Sequence, residues 1–408
     1  MQSWKDILSP ASIYIYILIV SALLIYAAAI LYQFFPNMYT WRDLFINYEG
    51  GFLRRAFIGQ LLFLADSVVP IQIYYLIFYS ILFYAFLYFS YKKLMKVFDP
   101  IVVAFFFISP VIFLLPITDR GVFGHKDLFI EIIILCVAQI CINYLIKEKS
   151  SLYRSTLLIF SLFIIGILIY EITILYLPLS AILLGVAYAR QKKIFQWLLM
   201  TGVLFSVTPI LFVFMFQGTV EMRDAICAAW TQRYPDLICD AGALKYIGHS
   251  FSDHAVGAFS RNVDMSWLTT GSAILGFVLS AIPLIFFWIA YRPYEAIRNF
   301  LSTSLVLRLA FWPAVFSPFI HAIIAEDFGR TISIAFLSYI FFLYAVFSLQ
   351  PQPAAPWLHK LKEAFSTSPR VRYAIYLFAI AYGLCWRMLH HAPSGKSYVI
   401  PGVLLHLQ

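Results

Sequence analysis

The chain has 408 residues, of which 62% are hydrophobic and 12% charged, with a net charge of +9. A soluble protein of this size usually carries about twice that share of charge, so a soluble globular domain is excluded. In a chain this apolar, basic loops that set membrane orientation account for the positive charge better than nucleic-acid binding does. Apolar runs of roughly 16–25 residues recur from end to end, each near the length that crosses a bilayer. Lipid tolerates only helices or closed barrels, and the short alternating strands of a barrel are absent. The sequence therefore predicts an all-α polytopic integral membrane protein, a single transmembrane domain over 1–408 with about eleven helices.

The first run, 11–33, is too long for a signal-peptide core and lacks a small-residue cleavage site, so it reads as a span. A first external loop, 34–70, follows. It carries Trp41, Arg42, Asp43, Glu49, Arg54 and Arg55, and the pair Gly50-Gly51 permits a sharp turn. From Phe52, apolar residues at 53, 57, 61 and 64 recur at helical spacing, which predicts a short interfacial helix. Arg54 and Arg55 fall in its first turn, where the helix dipole disfavours cations. A bound anion between the free N–H groups and the two guanidiniums resolves that conflict; contact with lipid headgroups, or pairing with Asp43 and Glu49, resolves it equally well.

Spans at 71–91 and 100–117 lead to TDRGVFGHKDLFIE, residues 118–131. Here Arg120, His125 and Lys126 precede Asp127 and Glu131, which share one face of the fourth span, 128–146. A charge-paired helix start explains Asp127, whereas Glu131 calls for a polar cavity. Residues 156–188 read as two short spans, 156–171 and 172–188, with a turn near Glu171, in preference to one long tilted span. Both flanks carry cytosol-like loops. Glu171, in IYEITILYLP (169–178), has no neighbouring cation, so it takes a partner from another helix, a proton, or a functional role.

After a span at 194–216 comes the long external loop 217–265, which reads either as a lid with aromatic Trp230 and Tyr234 or as an ordinary solvated loop. It holds Cys227 and Cys239, a disulfide candidate in an oxidising compartment. His249 and His254 make only a weak ligand spacing, and no metal motif stands out. Spans at 266–290, 305–324, 331–349 and 373–390 complete the chain. Between the ninth and tenth lies HAIIAEDFGR, residues 321–330, where Glu326 and Asp327 stand within reach of Arg330.

Lysine fixes the orientation. With the N-terminus cytoplasmic, ten lysines (5, 92, 93, 96, 147, 149, 192, 193, 360 and 362) lie inside, and only Lys126, Lys245 and Lys396 lie outside. Arginine departs from this pattern: Arg42, Arg54, Arg55, Arg120, Arg223, Arg233, Arg261 and Arg330 are all external. Most acidic residues are external too, so any chemistry is expected on that face. The planar guanidinium suits phosphate and carboxylate. An external cavity of arginines and carboxylates at the membrane boundary suits a lipid bearing phosphate or pyrophosphate.

The segments YEGGFLRRAFIGQ, GHKD, Tyr170-Glu171 and EDFGR, in this topological order, resemble bacterial O-antigen polymerases and related polysaccharide-assembly membrane proteins. More distantly they are similar to integral-membrane (GT-C-like) glycosyltransferases with a carboxylate in the first external loop. The resemblance implies joining of undecaprenyl-pyrophosphate-linked oligosaccharide units at the periplasmic face of a bacterial inner membrane. The expected partners are the polyprenyl-linked donor and acceptor and the bilayer, with a chain-length regulator protein as a candidate. Only one of the two large periplasmic loops common in those polymerases is present, which leaves a single-sugar transferase open.

On this reading Arg54 and Arg55 hold the donor pyrophosphate and Arg330 clamps it. Asp327 or Glu49 takes the acceptor's proton, with Asp127 as a further catalytic candidate. Arg120, His125, Lys126, Glu131 and Glu171 shape the substrate cavity. No cofactor is implied; a divalent metal is compatible with the set, though arginines can replace its charge. The main competing class is a transporter or flippase of a lipid-linked anionic glycan, for which matched broken helices are not found. An acyltransferase centred on His125 or His321 is a third.

Overall fold

In the computed structural model of the chain, described for residues 10–53, 55–119, 122–147, 151–209, 218–248, 267–325, 328–384, 386–388 and 399–401, the apolar runs fold as helices. Six are long and apolar enough to cross a membrane: α1 (Pro10–Gln33), α4 (Ile71–Leu94), α7 (Asp127–Lys147), α8 (Leu152–Ile169), α13 (Trp267–Tyr291) and α16 (Phe328–Leu349). The protein is thus an all-α membrane protein. Shorter helices fill the gaps: α2 (Tyr39–Leu44), α3 (Ala56–Ala65), α5 (Pro100–Ile108), α6 (Leu115–Thr118), α9 (Pro178–Arg190), α10 (Ile194–Pro209), α11 (Val220–Thr231) and α12 (Gly242–Lys245). Later come α14 (Tyr294–Leu301), α15 (Leu305–Ala325), α17 (Pro356–Thr367) and α18 (Pro369–Leu384). Among the described residues, β structure is confined to one antiparallel pair, β1 (Trp386–Met388) with β2 (Val399–Pro401).

Helix α16 is the central post. Within its spanning window 83% of the residues are buried, against 28% for α1, which turns most of its surface outward. Helices α7, α9, α13 and α15 all pack on α16, α7 along the greatest length. The outward faces of α1, α4, α8, α13 and α15 carry large apolar side chains such as Leu18, Ile77, Leu157, Ile274 and Leu309. In water such a surface would drive association; in a bilayer it meets hydrocarbon.

Two expected spans are not continuous helices. The run 100–117 breaks into α5, Pro100–Ile108, about 14 Å at 1.5 Å per residue, and the single turn of α6 that starts at Leu115. Pro110 pushes the preceding residue out of the helical region, and Ser109 is extended (φ −66°, ψ 123°). Its hydroxyl then accepts from the backbone N–H groups of Val111 (3.4 Å) and Ile112 (3.3 Å). The run 373–390 likewise ends as helix at Leu384, and residues 386–388 become β1. Conversely, 152–190 is divided as two helices. Tyr170 is extended (φ −158°, ψ 111°), a 3₁₀ turn covers Glu171–Leu175, and Pro178 opens α9.

The short helix of the first loop starts later than its apolar spacing predicts. It begins at Ala56, with Arg55 outside it in a left-handed conformation (φ 66°). Its close seat explains one glycine: a Cβ on Gly59 would lie 1.8 Å from the carbonyl oxygen of Ile46. In the segment after residue 217, Cys227 and Cys239 form a disulfide. Trp230 of α11 is buried and donates from Nε1 to the Phe45 carbonyl (2.7 Å), tying this segment to the first loop.

Candidate functional site

Ionisable side chains from four separate stretches converge where α1 ends, α4, α7 and α16 begin, and α8 ends. Helix α2 supplies Asp43. Apolar neighbours hold it inside: Trp41, Leu44 and Phe45 are all buried, and Trp41 Nε1 donates to the Leu31 carbonyl (2.7 Å). The turn before α7 supplies His125 and Lys126, and α7 opens with Asp127. Gly124 sits at φ 78°, a conformation that favours glycine, and its carbonyl accepts from the Tyr75 hydroxyl (2.6 Å). The first turn of α16 supplies Arg330, and the end of α8 supplies Tyr170.

Arg330 and Asp127, both buried, form a two-bond fork: Nε to Oδ2 at 2.6 Å and Nη2 to Oδ1 at 2.8 Å. Arg330 Nη2 also reaches His125 Nδ1 (3.1 Å) and the Tyr170 hydroxyl (3.4 Å). A guanidinium only donates, so His125 Nδ1 is the acceptor, and in the neutral ring the proton sits on Nε2. That Nε2 lies 3.8 Å from Asp43 Oδ2. Lys126, wholly buried, places Nζ 2.9 Å from the Asp43 carbonyl, 3.0 Å from the Arg55 carbonyl and 3.3 Å from Asp43 Oδ2. Its ammonium is a strut between two loops, facing oxygens from both.

What distinguishes Asp43 is what it lacks. Among the described residues, neither of its carboxylate oxygens makes a hydrogen bond, and nor does His125 Nε2. The Lys126 contact at 3.3 Å is an ion pair without hydrogen-bond alignment. Buried polar atoms are nearly always satisfied, so a donor–acceptor pair left open, side by side, marks a place for a hydroxyl or water. Burial pushes the Asp43 carboxyl up, but the cations Lys126, Arg55 and Arg330 outweigh it and hold the group below the usual carboxylate range. Asp43 is therefore ionised at neutral pH.

Beside this cluster lies a cleft of about 40 Å³ whose lining includes Tyr39, Arg55, Ala243 and Tyr246. Tyr39 stacks on the His125 ring (6.0 Å between centroids) and the Arg55 guanidinium lies over Tyr170 (4.7 Å). Both residues thus border the cluster and the cleft at once. The space holds a few waters; a sugar requires the two covering segments to part.

The expected shared cavity is therefore a packed ion network with a narrow cleft beside it, the two meeting at Tyr39 and Arg55. Arg330 is not an open clamp, because Asp127 already takes its fork. Lys126 is turned inward rather than toward a ligand. Glu49 is exposed, its Oε1 accepting from Gln60 (3.4 Å), and stands outside the network. Arg55 precedes α3 rather than occupying its first turn. Glu131 is buried one helical turn beyond Asp127. Arg54, Arg120, Glu326, Asp327, His249 and His254, and the side chains of Glu171 and His321, lie outside what the structure describes. The sequence offers Asp43 only as a pairing partner for Arg54 and Arg55, and gives Tyr39 no role. A signal for Asp43 was present, since TWRDLFI embeds one carboxylate in apolar residues that a solvated loop would not carry. Among the described residues, no group of three His, Cys, Asp or Glu side chains is placed to hold a metal ion.

No protein-family profile matches this chain, and no curated protein or solved structure matches it either.

Proposed function

We propose that the protein is a membrane glycosyltransferase that joins polyprenyl-(pyro)phosphate-linked oligosaccharide units at the outer face of a bacterial inner membrane, with Asp43 as the group that receives the acceptor's proton. The observation that carries this reading is the open pair of Asp43 and His125 Nε2, 3.8 Å apart and buried beside a cleft. On this reading the chain makes about eleven crossings with the N-terminus cytoplasmic. The ends of α1 and α8 and the starts of α4, α7 and α16 gather at the level of the network, which supports one common side for those five ends. Lys92 and Lys93 lie in the last turn of α4, at its other end. Helix α3, with Leu61 and Leu64 exposed, lies at the outer interface.

In the reaction the acceptor hydroxyl oxygen attacks the anomeric carbon of the donor sugar. The bond from that carbon to the phosphate oxygen breaks, and the polyprenyl (pyro)phosphate leaves with the bond's electrons. The hydroxyl proton passes to an Asp43 oxygen. A carboxylate with a depressed pKa is a weak base towards a resting alcohol. In an oxocarbenium-like transition state, however, the attacking oxygen becomes strongly acidic as its new bond forms, and an ionised carboxylate in place suffices. His125 Nε2–H donates to the acceptor hydroxyl oxygen and orients it, while that hydroxyl's own proton points to Asp43. Arg55, at the cleft wall, faces the developing phosphate charge.

Mass analysis of lipid-linked glycans after deletion of the gene tests this function. Accumulated single repeat units indicate a polymerase, and truncated units a single-sugar transferase. Complementation with Asp43→Asn should leave the same accumulated species, at normal protein level in the membrane. Restoration of full-length glycan by that variant refutes the assignment of Asp43. An unchanged lipid-linked pool, or accumulation confined to the inner leaflet, refutes transfer; the latter favours transport.

A further inference from the structure

A second cleft, of about 560 Å³, opens between the α3–α4 turn and the segment after α11, lined by Ser67, Val68, Val69, Gln72, Arg233 and Tyr234 among others. Its volume falls in the range of small-molecule sites, about 300–1,000 Å³. Arg233 is held in place from behind. Its Nη1 donates to the Phe63 carbonyl (2.7 Å) and to Asp66 Oδ2 (3.2 Å), and its guanidinium lies on the Phe63 ring (3.8 Å to the centroid). Asp66 is fully engaged in the cleft wall, where Oδ1 accepts from the Tyr234 hydroxyl and the Ile71 N–H, and Oδ2 from Arg233. Among the described residues, Nε and Nη2 of Arg233 have no hydrogen-bond partner, and its side chain is 30% exposed.

The cleft stands at the start of α4, a membrane-length helix. From its rim an apolar stripe runs down the outer face of α4 through Ile73, Ile77 and Ile81, spaced four apart and each at least half exposed. A fixed guanidinium with open donors at one end of a continuous apolar stripe is complementary to an amphiphile with an anionic head. The fork geometry favours phosphate.

We propose that this cleft binds the phosphate headgroup of a membrane lipid through Arg233, with one lipid chain lying along Ile73, Ile77 and Ile81. The site is separate from the Asp43–His125 pair and does not depend on the reaction assigned there.

The test is a binding titration of the delipidated, purified full chain followed by native mass spectrometry. The probes are dioleoyl phosphatidylglycerol, dioleoylglycerol with the same chains, and inorganic phosphate. We expect one tight phosphatidylglycerol, weakened about tenfold by Arg233→Gln, the loss of one charge-assisted hydrogen-bond set. Val69→Trp, which puts an indole into the cleft from its wall at a residue that makes no contact with Arg233 among those described, should weaken it comparably, whereas Arg223→Gln should not. Unfolding temperatures of the variants report on folding, and the Val69→Trp result stands if Arg233→Gln fails to fold. The proposal is overturned if Val69→Trp binds as the parent does, or if dioleoylglycerol binds equally well. Inorganic phosphate binding as tightly as the lipid overturns it too, because the stripe then plays no part.

Discussion

The Arg330–Asp127 fork can be tested by a double-mutant cycle. Both groups are buried, at 2% each, and both carboxylate oxygens are engaged, at 2.6 and 2.8 Å. Removing one partner of such a pair strands the other charge and costs about 3–5 kcal/mol. Arg330→Ala should be the more damaging single change, because Arg330 also bonds His125 and Tyr170. Asp127→Ala leaves the guanidinium with those two contacts. The double variant leaves neither charge, so it should cost no more than about the Arg330→Ala change alone, giving an interaction at least as large as the Asp127→Ala cost, about 3–5 kcal/mol. The assay is unfolding of the purified chain in bicelles, read as the folded fraction against denaturant for all four proteins. Costs that add in the double variant would refute the reasoning, since the two side chains would then stabilise the fold independently. Arg330→Lys should recover only part of the loss, because an ammonium cannot fill the fork.

Gly59→Ala should destabilise by at least about 1–3 kcal/mol, the usual penalty of overpacking. The added Cβ meets the Ile46 carbonyl oxygen at 1.8 Å, whereas nothing lies within 4 Å of one at Gly202, so Gly202→Ala is the control; equal unfolding midpoints for the two would refute the close seat. Reducing the Cys227–Cys239 disulfide, or replacing both cysteines with serine, should cost about 3 kcal/mol by the loop-closure argument and expose 218–248 to limited proteolysis. Unchanged cleavage rates count against it. Asp43 makes a pH prediction. Its folded pKa is depressed, so its stabilisation is complete above the unfolded carboxylate value of about 3.9 and drains away as pH falls below that. Acid unfolding of the parent should therefore show a steeper limb below about pH 4 than Asp43→Asn does; matching slopes refute the depressed value.

Six membrane-length helices were legible because lipid imposes one requirement, a long apolar helix, and that requirement leaves a continuous mark in the sequence. The breaks were less legible. Ser109-Pro110 was in view, but the run around it is apolar throughout, and hydropathy does not register a backbone that turns inside protein. The site was legible as a set of stretches and illegible as a set of partners. Asp127 and Arg330 are 203 residues apart, and only the packing of α7 on α16 pairs them. Arg55 shows a finer failure. The apolar spacing placed it in a helix, but its left-handed backbone turns its carbonyl to Lys126 (3.0 Å), and no local pattern announces that conformation in a non-glycine residue.

The external arginine excess changes meaning once these partners are known. Arg330 is taken by Asp127, Arg223 by Asp224 and Asp240, and Arg233 in part by Asp66. Arg42 donates to Asn37 (3.3 Å). The acidic excess on the same face is the other half of these pairs, so much of the arginine pattern is internal pairing rather than ligand recognition. Arginine is suited to these pairs because a fork can satisfy a buried carboxylate. Among the described residues, the guanidiniums that border open space are Arg55 at the small cleft and Arg233 at the large one, and the proposals of anion recognition rest on these two. On the proposed function, the chemistry shifts from the arginines to Asp43, the carboxylate that, among the described residues, the fold leaves with neither oxygen hydrogen-bonded.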